Sequence, residues 1–202
     1  GGGTAFAEYV KAWSRRGYVA ITVDHYGQLP DTSVRRPDRP VLPVSWAGMA
    51  PRPFLTEASE NGDPEMRCLW IRNAVALLAH CHTYLLDLPY VNSRQTGLLG
   101  ISWGSVMGSI LCSLDRRFAF AVFCYGCGYF SAGADMRRFR KFSGAAWDPE
   151  NFIPALQTPC YWIIGTNDMA FELPCWQKSV DNAPGTQGMS IVPGIDHAHT
   201  GW

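Results

Sequence analysis

From Thr96 to Leu114 the chain runs nineteen residues without a charge, and the pattern of its apolar positions changes midway. Thr96 to Ile101 is a short continuous apolar run of strand type, whereas Trp103 to Leu114 carries helical periodicity. Between them stands Gly100-Ile101-Ser102-Trp103-Gly104. The length is near that of a membrane span. Four Gly and four Ser within it, together with the change of pattern, argue instead for a buried strand, a tight turn and a helix. A strand that passes straight into a helix belongs in an α/β sheet with parallel strands.

The flanking sequence alternates in the same way. Ala5 to Arg16 reads as a helix with Phe6, Val10 and Trp13 on one face, and Gly17 stops it in the C′ position. Tyr18 to Asp24 is an apolar, β-branched run suited to a strand buried on both faces. Residues 25–62 form a Pro-rich stretch of about 38 residues with little periodicity, long enough to act as a lid. Asp63-Pro64-Glu65 opens a second helix. Its apolar face is Ile71, Ala74, Val75, Leu78, Cys81 and Leu85, which leaves His80 and His82 on polar faces. Further strands are expected at Phe118–Tyr125, Cys160–Ile164 and Met189–Val192, and a helix at Pro174–Asn182. The basic stretch Met136–Lys141 reads as surface. These elements make one α/β domain over residues 1–202, a mostly parallel central sheet with helices on both faces. Gly1-Gly2-Gly3-Thr4 runs straight into a helix without a strand to feed the turn, and Trp202 closely follows a candidate loop. Both suggest a domain incomplete at its two ends.

Composition narrows the partners. Seventeen Lys and Arg balance seventeen Asp and Glu, which argues against a nucleic-acid footprint. A hydrophobic fraction of 47% argues against disorder. Seven Cys are too few for a disulfide scaffold. The single C-x-x-C at Cys124 and Cys127 lacks the second pair of a zinc ribbon, and buried inert thiols are expected.

The motif Gly100-x-Ser102-x-Gly104 carries the chemistry. Ser102 between a strand and a helix sits on a strained turn with its hydroxyl projecting, and side chains at 100 and 104 are expected to collide. The N–H of Trp103, at a helix N-terminus, points toward a developing oxyanion. The competing account is a small-residue turn that lets strand and helix pack closely, which Gly104 and Gly108 also suit. A serine nucleophile needs a base, and the base an orienting acid. Asp168 follows the strand Cys160–Ile164 at the end where ligands bind in open α/β sheets. Its alternative role is an Asx-turn cap. His197 and His199 are the two His beyond it, with His197 favoured as base at a strand end and His199 as the alternative. The glycines at 1–3 suit a loop whose backbone approaches a substrate. Trp103, Tyr125, Tyr129 and Phe130 are candidates for an acyl or sugar pocket, with core packing as the alternative for Phe130.

Gly1-Gly-Gly-Thr-Ala-Phe6, Arg16-Gly-Tyr-Val-Ala-Ile21, Gly100-Ile-Ser-Trp-Gly104, Tyr125-Gly-Cys-Gly128, Gly165-Thr-Asn-Asp168 and His197-Ala-His-Thr-Gly-Trp202 together resemble the α/β-hydrolase superfamily. Within it the chain is most similar to bacterial serine esterases of the dienelactone hydrolase, acetyl xylan esterase and prolyl-oligopeptidase-like group. The resemblance implies Ser102 as nucleophile, Asp168 as acid and His197 as base, with the N–H groups of Trp103 and Gly2 as oxyanion hole. It further implies hydrolysis of carboxylic esters through an acyl-enzyme, acetyl esters of carbohydrates among them, with no metal, no cofactor and no membrane span. The alternatives are a serine peptidase and a non-catalytic binding protein on the same fold.

Overall fold

The computed structural model describes residues 6–23, 64–139 and 144–197. Helix α1 spans Ala7–Ser14 and α2 spans Pro64–Leu86. Strand β1 (Gly97–Ile101) leads into α3 (Trp103–Leu114), followed by β2 (Phe120–Cys124). Short 3-10 turns at Met136–Phe139, Pro149–Asn151 and Ile153–Ala155 occupy the route to β3 (Cys160–Asn167). Helix α4 (Leu173–Asn182) then connects β3 to β4 (Thr186–Asp196). The sheet order is β1-β2-β3-β4, and every neighbouring pair is parallel. Helical crossovers such as α3 and α4 return the chain to the same edge, which parallel pairing requires. All C-terminal strand ends therefore lie together, and the site is built there.

One sheet face carries Ala121, Phe123, Trp162 and Ile164, all buried, with the Phe123 and Trp162 rings 4.6 Å apart. Against it packs α3, buried from Ser105 to Ser113. A buried helix has no water for its hydroxyls, so Ser109 donates to the Val106 carbonyl at 2.9 Å and Ser113 to that of Ser109 at 2.7 Å. That is how a helix with this many serines can be buried throughout. At Gly108 a Cβ would stand 2.7 Å from Leu98 Cδ2, so helix and strand touch through the glycine.

Several expectations need correction. Residues 18–23 form no strand and pair with none among the described residues. The run has strand composition, yet a strand needs a hydrogen-bonding neighbour. Instead it lines a cavity of about 610 Å³ together with Phe6 and Trp13 of the α1 region and Leu99 and Phe120 of the sheet. On that side of the sheet Leu99, Phe120 and Tyr161 are exposed. Strands β3 and β4 run further than their apolar cores suggest, so β4 reaches Asp196, paired with Asn167. His82 is buried, not on a polar face: its Nδ1 meets Asp115 Oδ2 at 2.9 Å and its Nε2 meets Thr96 Oγ1 at 2.9 Å. Met136 is fully buried and Phe139 packs against the core, so the 136–139 turn is not plain surface. The stretch 25–62 and the glycines at 1–3 lie outside the described residues. No described helix is long and apolar enough to cross a membrane.

Candidate active site

The turn between β1 and α3 is strained at one residue. Ser102 has φ 56° and ψ −120°, left-handed for a side chain that is not glycine, at a cost of about 1–3 kcal/mol. Its neighbours hold it there. Ser102 N–H donates to the Cys124 carbonyl at 2.9 Å, and the Ser105 and Val106 N–H groups donate to the Ser102 carbonyl at 2.8 and 3.2 Å. A Cβ on Gly100 would lie 2.7 Å from the Gly104 carbonyl oxygen, so glycine is sterically required there. At Gly104 the expectation of a collision is corrected, since a Cβ would meet no described atom within 4 Å. The crowding comes from elsewhere. A Cβ on Gly126, just past β2, would stand 2.5 Å from both the Ser102 carbonyl oxygen and Ser105 Cβ. The motif alone gave no sign of Gly126.

Three side chains from separate parts of the chain meet at this turn. Ser102 Oγ lies 2.8 Å from His197 Nε2, and His197 Nδ1 lies 3.0 Å from Asp168 Oδ2. An imidazole that donates from Nδ1 to the carboxylate accepts the serine proton at Nε2. The Asp168 side chain is 1% exposed and that of His197 is 19% exposed. Asp168 follows β3, and its other oxygen, Oδ1, accepts the N–H groups of Ala170 and Phe171 at 2.8 and 2.9 Å. The turn-capping role and the role toward His197 thus fall on two oxygens of one carboxylate. His197 follows β4 directly. Trp103 is the first residue of α3, where the helix dipole is positive. Gly2 and His199 lie outside the described residues. Among the described residues no group of three or more His, Cys, Asp or Glu is placed to hold a metal ion.

Two aromatic rings pack against the imidazole, and two more aromatic residues follow in the chain beyond β2. Tyr125, at φ 37°, sets its ring 4.7 Å from the imidazole, and Phe171 lies 5.6 Å from it. Tyr129, at φ 60°, is largely buried beneath Lys178 Nζ, 4.7 Å from its ring centre. Phe130 is fully buried and packs edge-on to Trp103 at 6.3 Å, so it stands in the core behind the elbow. The loop bearing these residues is fixed by carboxylates whose importance the sequence did not signal. Asp148 accepts N–H groups from Tyr129, Phe130 and Glu150. Burial pushes its carboxyl up to about 6, against the lowering effect of those N–H bonds. Glu172 accepts the N–H groups of Ala134, Asp135 and Met136. Cys127 is fully buried, and burial raises its thiol well above the ordinary range, which keeps it protonated and inert.

No family model and no curated protein matches the chain. Solved structures do. An α/β hydrolase from a Penicillium species superposes with TM-score 0.53 at 12% identity, over 64% of this chain and 65% of that one. An acetyl xylan esterase from a Thermoanaerobacterium species gives 0.55 at 15% identity, over 65% of this chain and 49% of that one. An acylaminoacyl peptidase from Pyrococcus horikoshii gives 0.51 at 15% identity, over 64% of this chain and 24% of that one. The chain has the α/β-hydrolase fold. It covers less than two thirds of the length of these proteins.

Proposed function

We propose that the chain is a serine hydrolase that cleaves carboxylic esters through an acyl-enzyme. The observation that carries this reading is the continuous hydrogen-bonded path from Ser102 Oγ through His197 to Asp168. Ser102 attacks the acyl carbon as its proton passes to His197 Nε2. Asp168 fixes the imidazole orientation and stabilises the imidazolium. The N–H of Trp103 supports the tetrahedral oxyanion, an interaction worth roughly 3–4 kcal/mol in a dry site; the Gly2 N–H is the proposed second donor. His197 returns the proton to the leaving alcohol, and water then releases the acid.

The finer assignment places the chain with dienelactone hydrolase-like and acetyl xylan esterase-like enzymes, with acetyl esters of carbohydrates as candidate substrates. Peptide bonds are the rival substrate, because the same three side chains serve peptidases. The test is covalent labelling with a fluorophosphonate together with turnover of p-nitrophenyl acetate. Label on Ser102 and loss of turnover in Ser102→Ala are the expected results. A wild-type protein that neither labels nor turns over would reduce the fold to a binding scaffold. Acetylated sugars assayed against peptide amides separate the two substrate readings.

A further inference from the structure

The segment between β2 and β3 brings an aromatic side chain to the candidate site that the elbow motif does not contain. Phe139, at the end of the 136–139 turn, sets its ring 5.3 Å from Trp103 at an interplanar angle of 81°. The same ring stacks on Phe171 at 5.2 Å and 27° and meets Phe130 edge-on at 5.7 Å. Trp103 adjoins Ser102 in the chain, and Phe171 lies against His197. Rings therefore follow one another without a break from the nucleophile's neighbour to the base.

The two ends of this array differ in exposure. Phe130 and Phe171 are buried, whereas Trp103 and Phe139 keep part of their surface open. Buried rings that do nothing more than fill a core need no open partner beside a nucleophile. Half-open ones leave apolar area that a bound group can cover, at about 25 cal/mol per Å², with a further contribution where rings meet edge to face. The open rings, Trp103 and Phe139, stand at the Ser102 end, whereas the ring at the His197 end, Phe171, is closed off, and the leaving alcohol departs toward His197. The apolar surface is thus placed for the acyl half of the ester.

We infer that Phe139 and Trp103, backed by the buried Phe171, form an aromatic wall beside Ser102 that accepts the acyl group of an ester with an apolar, ring-bearing chain larger than acetyl. This rests on the serine-hydrolase reading and, within it, sets a larger acyl group in place of the acetyl group of the candidate carbohydrate esters. Phe139 is a specificity-determining residue, not a participant in proton transfer.

The experiment holds the leaving group constant and varies the acyl chain. Initial rates with p-nitrophenyl acetate, butyrate and phenylacetate are measured on the wild-type chain and on Phe139→Ala, with fluorophosphonate labelling run in parallel. The expected wild-type result is a kcat/KM for phenylacetate at least tenfold above that for acetate, and Phe139→Ala lowers that ratio at least tenfold. Phe139→Leu, which keeps the apolar bulk needed for folding, lowers it by a smaller factor. A wild-type ratio near one, with labelling and turnover intact, overturns the wall while leaving the serine hydrolase standing. So does a ratio that neither substitution moves. Absence of both labelling and turnover overturns the underlying reading, and the wall with it.

Discussion

Asp148 Oδ2 accepts the backbone N–H of Phe130 at 3.0 Å from a carboxylate with no exposed surface. Its Oδ1 holds the N–H groups of Tyr129 and Glu150. One buried charge thereby fixes the chain that leaves β2 and passes behind Ser102. Burying it pushes its pKa from the ordinary carboxylate value up to about 6. Between those values the native protein keeps a proton that the unfolded chain has released. Stability therefore falls as the pH rises from about 4 to about 6, and the loss is complete above that. Asp148→Asn removes the dependence. Urea unfolding at pH 4.5 and 7.5 should show the variant gaining about 2 kcal/mol on wild type across that interval. Identical pH dependence in the two proteins would mean that the carboxylate is not strained by burial.

His82 acts with the opposite sign. Burial lowers its pKa, although the Asp115 carboxylate beside it pulls the other way and Arg117 adds a smaller lowering effect. The ring stacks on Phe118 at 3.7 Å and bridges Asp115 to Thr96. Burial pushes the Asp115 carboxyl up, but bonds from Arg117 and His82 outweigh it and hold the group well below the usual carboxylate range. The native state thus prefers neutral His82 beside ionised Asp115. A depressed folded pKa gives stability that is present above the unfolded value of about 6.5 and is lost as the pH falls through the folded one. Acid-side unfolding curves of His82→Gln should be flatter than those of wild type. His82→Ala should cost about 2 kcal/mol or more at pH 7.5, because Asp115 and Thr96 each lose a hydrogen bond in a buried place. A His82→Ala protein as stable as wild type would show that the bridge contributes nothing.

The candidate site was legible in the sequence where chemistry and backbone geometry coincide. A serine between two glycines, at the point where the hydrophobic period changes, fixes an element boundary and a nucleophile together. Asp168 and His197 were reachable because each follows an apolar strand, and parallel strands bring their C-terminal ends to one edge. The supporting shell was not legible in the same way. Asp148 and Glu172 act on backbone N–H groups, which no side-chain pattern announces. Gly126 matters because of what stands 2.5 Å away in the fold, not because of its neighbours in the chain. His82 lies where helical periodicity suggests a polar face, and it is buried because Asp115 and Thr96 satisfy both ring nitrogens. The run at 18–23 has strand composition but finds no strand partner among the described residues, since pairing is a property of neighbours.

The two glycines of the elbow should respond differently to substitution. Gly100→Ala places a methyl group 2.7 Å from a backbone oxygen of α3 and 2.8 Å from the Ser105 Cα, and neither backbone atom can give way. Overpacking of this kind costs about 1–3 kcal/mol and moves the serine turn with it. Gly104→Ala meets open space among the described residues and replaces a poor helix former near the start of α3. The expected outcome is a lowered Tm and slowed fluorophosphonate labelling in Gly100→Ala, with Gly104→Ala within a few degrees of wild type. Equal damage from both would mean that something outside the described residues fills the space at 104.

Asp168 performs two tasks with two oxygens, and one substitution separates them. In Asp168→Asn the amide oxygen can still accept the N–H groups of Ala170 and Phe171, which keeps the turn. The amide nitrogen then faces His197 Nδ1 where Oδ2 stood. Two donors cannot share one bond, so the imidazole must accept at Nδ1 and carry its proton on Nε2. That proton points at Ser102 Oγ, and the serine loses its base. The expected result is a fall in kcat of roughly 10⁴-fold with little change in the urea midpoint. If Asp168 were only a turn cap, Asp168→Asn would keep both stability and turnover. A variant retaining a tenth or more of wild-type ester hydrolysis would remove Asp168 from the proton relay and leave it as a turn residue.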